Sequence, residues 1–344
     1  MKQDPCEPIV VVSGCDEGYV MPLAVTIRSS IDRLGANRTM VVYIIDGGIE
    51  DESKRRLEAS WLDDRVSVHF VDVDSAQLYH LPVSEHVTAA TYLRLLIPQL
   101  LPASVKRAIY LDADMLVKRD LGYLWDEPQG GYALLAVQDY AAPHVDSRLV
   151  LSNYEACRRY IGETTPIGNF QELGIDPSSM YFNGGLLVID IESWRKNAYA
   201  EKMIGVLEEH RRHVLWWDQY ALNVVLANSW RALDKRWNQG AHLFAYPKYD
   251  ESPFDRQTFE QLWDDPWIVH FCSPSKPWHY FSRHAATESF YETLKRTQWH
   301  AFKPERPEEL LRDWWGHHYK PIRTRVKSKI RRIKRSLRSN FKAA

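Results

Sequence analysis

The strongest constraint on the fold is the alternation of strand-like and helix-like segments in the first half of the chain. The continuous β-branched run IVVVSG (9–14) is typical of a strand covered on both faces, and residues 19–34 follow it with helical spacing. The same order recurs, with strand patterns at 39–46 and 65–73 around a helical segment at 50–62. Strands that alternate with helices predict an α/β fold with a mostly parallel sheet and helices on both faces.

The rest of the chain has a more mixed pattern and no internal repeat. Residues 91–101 predict a helix that Pro98 ends or kinks, and residues 105–116 predict the next strand. A strand is predicted at 131–140, an irregular polar stretch at 141–179, and a strand that turns into a helix at Ser193 at 180–197. Two helices are predicted at 198–213 and 218–228, and an irregular aromatic-rich region follows them. We predict one domain over 1–315 and a basic tail over 316–344.

Two acids one residue apart follow the strand predicted at 105–116, within YLDADMLVKRDL. Because side chains alternate along an extended chain, Asp112 and Asp114 project to the same side. Ligands of open α/β sheets bind beyond the carboxyl ends of the strands, and two hard carboxylates suit Mg²⁺ or Mn²⁺ carried in by a polyphosphate. The alternative is a turn in which the acids cap backbone N–H groups.

The segment VHFCSPSKPWHY (269–280) adds a histidine and a lysine to the candidate residues. His270 follows a short apolar run and would be a third ligand that favours Mn²⁺ over Mg²⁺. Ser273 and Lys276 come before Pro277, and the lysine could face a phosphate after a tight turn. The alternative for His270 is a hydrogen-bonded histidine of the core.

Two other segments carry polar residues next to flexible or helix-starting positions. Asn183 precedes Gly184 and Gly185, whose missing Cβ atoms would let a ligand approach the backbone, although a Gly pair also occurs in β-bulges. Asp218 and Gln219 begin a helix-like segment, where Asp218 could equally be an N-cap.

Taken together, these segments resemble family 8 glycosyltransferases, especially the bacterial lipopolysaccharide galactosyl- and glucosyltransferase branch. The resemblance runs from about residue 9 to about residue 300. Its motifs occur in the family order: SGCDEGYV, TYLRLLIP, YLDADMLVKRDL, VQDY, FNGGLLVIDIESWR, DQYALN and HFCSPSKPW. It implies a single-domain GT-A fold and an enzyme that transfers a hexose from a UDP-sugar with retention of anomeric configuration.

The resemblance also implies a role for each matching residue. Residues that would contact the UDP-sugar donor are Gly14, Asp16, Tyr19, Thr91, Arg94, Asp112, Asn183, Ser273 and Lys276, with the first three at the uracil and ribose and Lys276 at the diphosphate. Residues that would bind Mn²⁺, or Mg²⁺ in its place, are Asp112, Asp114 and His270. Residues that would surround the transferred hexose are Asp139, Asn183, Asp218 and Gln219.

Two positions depart from the family pattern, at the phosphate loop and at the acceptor or sugar side, and neither changes the expected reaction. Ser273 stands where the bacterial branch has glycine beside the phosphates, and Tyr220 stands where it often has a second Asp after the DQ pair.

Retention of anomeric configuration requires either a covalent glycosyl-enzyme or departure and attack on one face of the sugar. An amide oxygen is a weak nucleophile, so we expect the front-face route, with Gln219 as an electrostatic support.

The formal net charge of −1 conceals an uneven distribution. Residues 320–342 hold 11 of the 44 lysines and arginines and no acid, which leaves 33 basic against 45 acidic side chains in residues 1–319, a net charge of −12. The apolar residues of this tail recur at helical spacing: Ile322, Val326, Ile330, Ile333, Leu337 and Phe341. We therefore expect the tail to bind an anionic membrane surface. The apolar stripe and the acidic body disfavour a solvated charge run and a nucleic-acid partner.

The cysteines and the hydropathy bear on the cellular setting. Cys6, Cys15, Cys157 and Cys272 form no CxxC pair, so neither a zinc site nor a disulfide framework is indicated and a reducing cytosol is expected. The run IVVVSGC is too short for a secretory leader, and no stretch approaches the roughly 18 apolar residues of a membrane span.

We therefore expect a peripheral protein on the cytoplasmic face of the membrane. Its acceptor would be a saccharide or glycolipid in lipopolysaccharide or cell-surface polysaccharide synthesis. A non-catalytic nucleotide-sugar or glycan-binding protein of the same fold is the alternative, which the presence of Asp112, Asp114 and His270 disfavours. Tryptophans such as Trp216 and Trp217 could stack on an acceptor, although core packing is the more common role.

Overall fold

The structure is a computed structural model that describes residues 7–73 and 89–306. The chain divides into two compact units. The first contains the residues up to 273 together with 289–301, and the second contains 274–288 and the residues from 302 onward. The predicted boundary near 315 and the predicted basic helix lie outside the described residues and stay predictions.

The first unit is built around a mixed, mostly parallel sheet. Its strands are β1 (Ile9–Cys15), β2 (Met40–Asp46), β3 (Val66–Asp72), β4 (Arg107–Leu111), β5 (Met115–Val117), β6 (Leu134–Gln138), β7 (Phe182–Asp190), β8 (Trp230–Ala232), β9 (Gln239–Gly240) and β10 (Ile268–His270). Seven of these form the main sheet in the order β3-β2-β1-β4-β7-β6-β8, in which β7 runs antiparallel to both neighbours and the other pairs are parallel. The remaining three form a small sheet in the order β5-β10-β9.

Helices connect most of these strands. They are α1 (Val20–Asp32), α2 (Asp51–Ser60), α3 (Ile97–Leu100), α4 (Gly122–Trp125), α5 (Ser147–Val150), α6 (Tyr154–Cys157), α7 (Ile191–Lys196), α8 (Tyr199–Glu209), α9 (Asp218–Val225), α10 (Arg256–Asp264) and α11 (Thr287–Leu294), with a 3₁₀ segment at Ala89–Leu96 before α3. Within the described ranges, none of these helices has the length and apolar character needed to cross a membrane. The α/β class and the mostly parallel sheet predicted from the sequence are confirmed.

Three local predictions need correction. Pro98 neither ends nor kinks a helix but lies in the first turn of α3, where its missing N–H costs nothing. The strand predicted over 105–116 is two strands, β4 and β5, because the acid pair turns the chain between them. The region after 228 is less irregular than predicted, since α10 begins after Asp255, whose carboxylate accepts a hydrogen bond from Thr258 N.

The carboxyl edge of the main sheet positions the polar residues singled out in the sequence. β1 and β4 are parallel with Val12 beside Tyr110, and continuing this register places Gly14 beside Asp112. β7 runs antiparallel to β4, so β7 starts at the edge where β4 ends, and Asp112 N donates a hydrogen bond to Gly185 O at 2.9 Å. The acid pair therefore leaves the sheet where α/β folds bind ligands.

Helix α1 fixes the backbone next to the acid pair through two hydroxyl groups. Fully buried Thr26 places Oγ1 2.8 Å from Ala113 O and accepts a hydrogen bond from Met115 N at 3.0 Å. One turn later, Ser29 Oγ accepts a hydrogen bond from Val117 N at 2.9 Å. Because β5 is an edge strand of the small sheet, α1 supplies the partners that its open side lacks.

Replacing Thr26 with valine tests this attachment. The change preserves the shape of the side chain but leaves Met115 N without its buried acceptor, so we expect the free energy of unfolding to fall by roughly 1–3 kcal/mol in urea denaturation. Thr26→Ser keeps the hydroxyl and should lose clearly less. Equal losses in the two variants would show that the methyl group, and not the hydrogen bonds, stabilises this contact.

Candidate active site

His270 reaches the two acids because the small sheet pairs the segments that carry them. β10 runs antiparallel to β5 with His270 beside Met115, the residue that follows Asp114. His270 Nε2 lies 3.2 Å from Asp114 Oδ1 and 3.5 Å from Asp112 Oδ2, and one ligand atom from each residue lies within 4.8 Å of the others. The predicted cluster therefore forms from two distant parts of the sequence.

The size and chemistry of this cluster fit a divalent cation. Neighbouring ligands of an octahedral cation with bonds of about 2.1 Å lie roughly 3 Å apart, which is close to the separations of the imidazole and carboxylate atoms. A Cβ atom on Gly185 would collide with His270 Cε1 and lie 2.8 Å from Asp112 Oδ2, so only glycine leaves this space open. Two carboxylates and one imidazole suit Mn²⁺ or Mg²⁺.

The protonation states are consistent with cation binding. Burial raises the pKa of Asp112, but Arg94 and His270 outweigh burial and hold that pKa below its ordinary value. Burial lowers the pKa of His270, whereas Cys272 and the Asp114 and Asp112 carboxylates raise it well above its ordinary value. The two acids that favour a proton on the imidazole are also the candidate cation ligands, so a cation would compete with that proton.

Buried Arg94 joins the acid pair to the start of α9. Its Nη2 lies 3.0 Å from Asp112 Oδ1, its Nε lies 2.8 Å from Asp218 Oδ2, and its Nη1 donates a hydrogen bond to Gly184 O at 2.6 Å. The contact with Asp218 is an ion pair without the alignment of a hydrogen bond. The guanidinium also stacks on the Tyr110 ring, with its carbon 4.8 Å from the ring centroid. The two carboxylates raise the pKa of Arg94 despite burial, which opposes the charge.

The Gly pair predicted at 184–185 is both a β-bulge and part of the site. β7 pairs with β6 through Leu187 and Ala136, then through Asn183 and Val137, so residues 184–186 have no partner on β6. Gly184 N, Gly184 O and Gly185 N hydrogen-bond side chains instead. The β-bulge predicted as one interpretation is confirmed, and the approach of a ligand to this backbone stays a prediction.

Asp139, Asn183 and Gln219 form a hydrogen-bonded group around this bulge. Gln219 Oε1 accepts hydrogen bonds from Gly184 N at 2.9 Å and from Asn183 Nδ2 at 3.3 Å. Asp139 Oδ2 accepts from Asn183 Nδ2 at 2.9 Å and from Gln219 Nε2 at 3.1 Å. Three of the residues predicted to surround the hexose are thus in direct contact with one another.

Asp218, the fourth, lies in the first turn of α9 and not at its N-cap, which is Trp217. Its carboxylate faces Arg94, and burial raises the pKa of Asp218 to about 6 although Arg94 opposes the shift. The backbone before it is unusual, since Trp216 and Trp217 have φ angles of 58° and 50°. Bulky residues rarely adopt this left-handed region, and such strain often occurs at functional sites.

The residues predicted to hold the nucleotide lie at the same edge of the sheet or near Arg94. Gly14 is the second-last residue of strand β1, and Asp16 precedes a short 3₁₀ segment, Glu17–Tyr19. The Tyr19 side chain is exposed, as a ring that stacks on a base requires. Thr91 O accepts a hydrogen bond from Arg94 Nε at 3.3 Å.

Ser273 and Lys276 are the remaining residues predicted to contact the UDP-sugar donor. Ser273 is the last residue of its segment in the first unit, and Lys276 belongs to the second unit. Their predicted contacts with the diphosphate stay predictions.

The sequence did not single out Tyr110 and Asn238, and it left the role of Tyr220 open. Tyr110 donates a hydrogen bond to Asp112 Oδ1 at 2.8 Å, and its position two residues before Asp112 on a strand was an available signal. Asn238 contacts both His270 and Asn183, and nothing in its local sequence marks it. Tyr220 is fully buried in an apolar cluster, so this position has a packing role in place of the family's second acid.

Comparison with known proteins agrees with this geometry. The glycosyl transferase family 8 model matches residues 10–282. General stress protein A of Bacillus subtilis strain 168 is 32% identical over 302 residues, covering 87% of this chain and 96% of that protein. A lipopolysaccharide 1,3-galactosyltransferase of Salmonella typhimurium strain LT2 is 25% identical over 84% of this chain and 78% of its own length. The crystal structure of galactosyltransferase LgtC with donor and acceptor sugar analogues shares the fold, with a TM-score of 0.68 at 22% identity over 88% of this chain and 98% of that one. The chain therefore belongs to glycosyl transferase family 8.

Proposed function

We propose that this glycosyltransferase moves galactose or glucose from a UDP-sugar to a saccharide or glycolipid acceptor, with retention of anomeric configuration and with Mn²⁺ as its cation. The observation that carries the proposal is the convergence of Asp112, Asp114 and His270 at the edge of the sheet, beside the amide and carboxylate groups of Asn183, Gln219 and Asp139. The first group suits a cation and a diphosphate, and the second suits the hydroxyl groups of a sugar. The Salmonella galactosyltransferase and a glucosyltransferase of Escherichia coli among the relatives support a hexose donor.

Charge balance supports a divalent cation. Asp112, Asp114 and Asp218, when ionised, carry three negative charges around the single positive charge of Arg94. The remaining two negative charges match one divalent cation, which when bound would neutralise charge on the departing UDP as a Lewis acid. The protein itself holds the Asp112 carboxylate in place through Tyr110 and Arg94, and Gly185 O accepts a hydrogen bond from the Asp112 backbone N–H.

Gln219 has the contacts of an electrostatic support. Two hydrogen-bond donors, Gly184 N and Asn183 Nδ2, already occupy its amide oxygen, which lowers the nucleophilicity of that atom further. Fixed amide dipoles beside the anomeric carbon would stabilise the positive charge that develops there. We therefore propose that the acceptor hydroxyl attacks on the face from which UDP leaves, and that a phosphate oxygen takes its proton.

We further propose that the chain works on a lipid-linked or cell-surface glycan at the cytoplasmic face of the membrane. Support comes from the basic, apolar-striped sequence of residues 320–342, which lies outside the described residues, and from lipopolysaccharide glycosyltransferases among the relatives. The membrane would hold the enzyme beside an acceptor that cannot leave it.

Substitution of the acid pair should remove activity. Asp112→Asn and Asp114→Asn each take away an anionic ligand, so we expect UDP release to fall at least about 100-fold at saturating Mn²⁺. UDP release from UDP-galactose and from UDP-glucose is measured in the presence of EDTA and again after Mn²⁺ is restored. Asp64→Asn, at an exposed position in a loop, is the matched control and should keep wild-type activity. Tight donor binding without turnover under every condition would favour the non-catalytic alternative.

The role of Gln219 can be tested by trapping. Because we expect no covalent glycosyl-enzyme, mass spectrometry of protein quenched during turnover should detect no glycosylated peptide that contains Asp218 or Gln219. Denatured protein mixed with donor serves as the background control. A hexose attached to either residue at a level that tracks the rate of turnover would replace the front-face route with double displacement.

Deletion of residues 320–344 should separate membrane binding from chemistry. In flotation with anionic liposomes, the shortened protein should move from the floating liposome fraction to the soluble fraction, because each Lys or Arg near such a surface contributes roughly 1 kcal/mol. UDP-sugar hydrolysis should be retained. A full-length variant with Ile330→Asp and Ile333→Asp keeps the basic residues and should also dissociate. Retention of either protein on the liposomes would count against the proposed anchor.

A further inference from the structure

Asn238 lies between the cation cluster and the sugar-side group. It is the last residue of the 3₁₀ segment Lys235–Asn238 and is 2% exposed. Its Nδ2 donates a hydrogen bond to Asn183 Oδ1 at 2.9 Å, and its Oδ1 lies 3.0 Å from His270 Nδ1. One amide therefore contacts a candidate cation ligand on one side and a candidate hexose ligand on the other.

A backbone N–H fixes the orientation of both amides. Gly185 N can only donate, and it donates to Asn183 Oδ1 at 3.0 Å. The atom of Asn183 that faces Asn238 is therefore the oxygen, and Asn238 must offer its NH₂ group to it. This leaves the oxygen of Asn238 facing the imidazole.

The same reasoning assigns the nitrogens of His270. Because Asn238 Oδ1 can only accept, His270 Nδ1 must carry the proton and donate it. In the neutral imidazole the lone pair is then on Nε2, the nitrogen that lies between Asp112 and Asp114. A hydrogen bond at the outer nitrogen fixes the tautomer and raises the basicity of the nitrogen that binds the cation.

The neighbouring sequence holds Asn238 rigidly in this position. Gln239 and Gly240 pair with β10 in parallel, with Gly240 beside His270, so Asn238 directly precedes the strand that lies beside His270. Trp237, one residue earlier, is buried and packs edge-on against Trp267 with ring centroids 4.9 Å apart. Ring packing before Asn238 and strand pairing after it thus fix the position of the amide.

We propose that Asn238 is a positioning residue that presents His270 Nε2 to the cation and, through its NH₂ group, holds Asn183 in the orientation needed by the hexose. The proposal rests on the function proposed above. It predicts that the two halves of the Asn238 amide can be separated by substitution. Loss of the oxygen should weaken the cation site, and loss of the NH₂ group alone should impair the sugar side.

Two substitutions make that separation. Asn238→Ala removes both contacts and should weaken Mn²⁺ binding in the presence of UDP by about 10- to 100-fold. Asn238→Asp keeps an acceptor for His270 but has no donor for Asn183. It should bind Mn²⁺ at least as tightly as the wild type, while its kcat for UDP-hexose hydrolysis at saturating Mn²⁺ falls at least about 10-fold.

Isothermal titration with Mn²⁺ in the presence of UDP gives the affinities, and thermal unfolding confirms that each variant is folded. Asn153→Ala is the matched control, because it removes two amide hydrogen bonds to the carbonyls of Asp250 and Ser252, and it should leave the Mn²⁺ affinity unchanged. A residue with a merely structural role would lower the stability of both Asn238 variants and alter the affinity of neither.

The tautomer gives a second readout that does not depend on activity. With ¹⁵N-labelled histidine and Mg²⁺ plus UDP, long-range ¹H–¹⁵N spectra of the wild type should show His270 protonated at Nδ1, and Asn238→Ala should show a mixture. Unchanged affinity and tautomer in Asn238→Ala, beside a wild type that binds Mn²⁺, would overturn the role of Asn238 and leave the proposed function intact. A wild type that binds no Mn²⁺ with UDP would overturn the proposed function and this inference with it.

Discussion

The buried ion pairs of Arg94 are the interaction on which the site depends. Removing a carboxylate from water is costly unless it is paired, and the start of α9 and the end of β4 each bring one to the same place. A single guanidinium forms ion pairs with both carboxylates and also donates to Gly184 O, so the helix, the strand and the bulge share one partner. An arginine suits this position better than a lysine because its planar fork can address three acceptors at once.

Backbone N–H groups set the polarity of the surrounding hydrogen bonds. Ala141 N and Ala142 N donate to Asp139 Oδ1, so its other oxygen accepts from Asn183 and Gln219. The bulge in β7 provides the N–H groups of Gly184 and Gly185 for the same purpose, because neither is used by β6. The side-chain amides therefore have one consistent orientation each, although an amide alone has no preference between its two ends.

The sequence predicted what depends on local pattern and on motifs, and missed what depends on long-range pairing. β-branched runs and helical spacing found β1 to β3, α1 and α2, and the period of two along a strand placed Asp112 and Asp114 on one side. His270 was predicted beside the acids from its residue type and its motif, because hydrophobic pattern does not encode the pairing of β5 with β10. Asn238 was missed for the same reason, and Pro98 was misread because a proline that starts a helix has the same local sequence as one that stops it.

The two tryptophans before Asp218 have a consequence for how this site can vary. Holding two successive bulky residues at positive φ costs roughly 1–3 kcal/mol each, which the packing of their rings must offset. Glycine would follow the same path without that cost, so a homologue could keep the Asp-Gln pair in place while losing the indole rings entirely. Variation in aromatic content at this entry to α9 is therefore compatible with an unchanged Asp-Gln pair, although loss of Trp216 would also remove its packing on Tyr181 and the neighbouring apolar cluster.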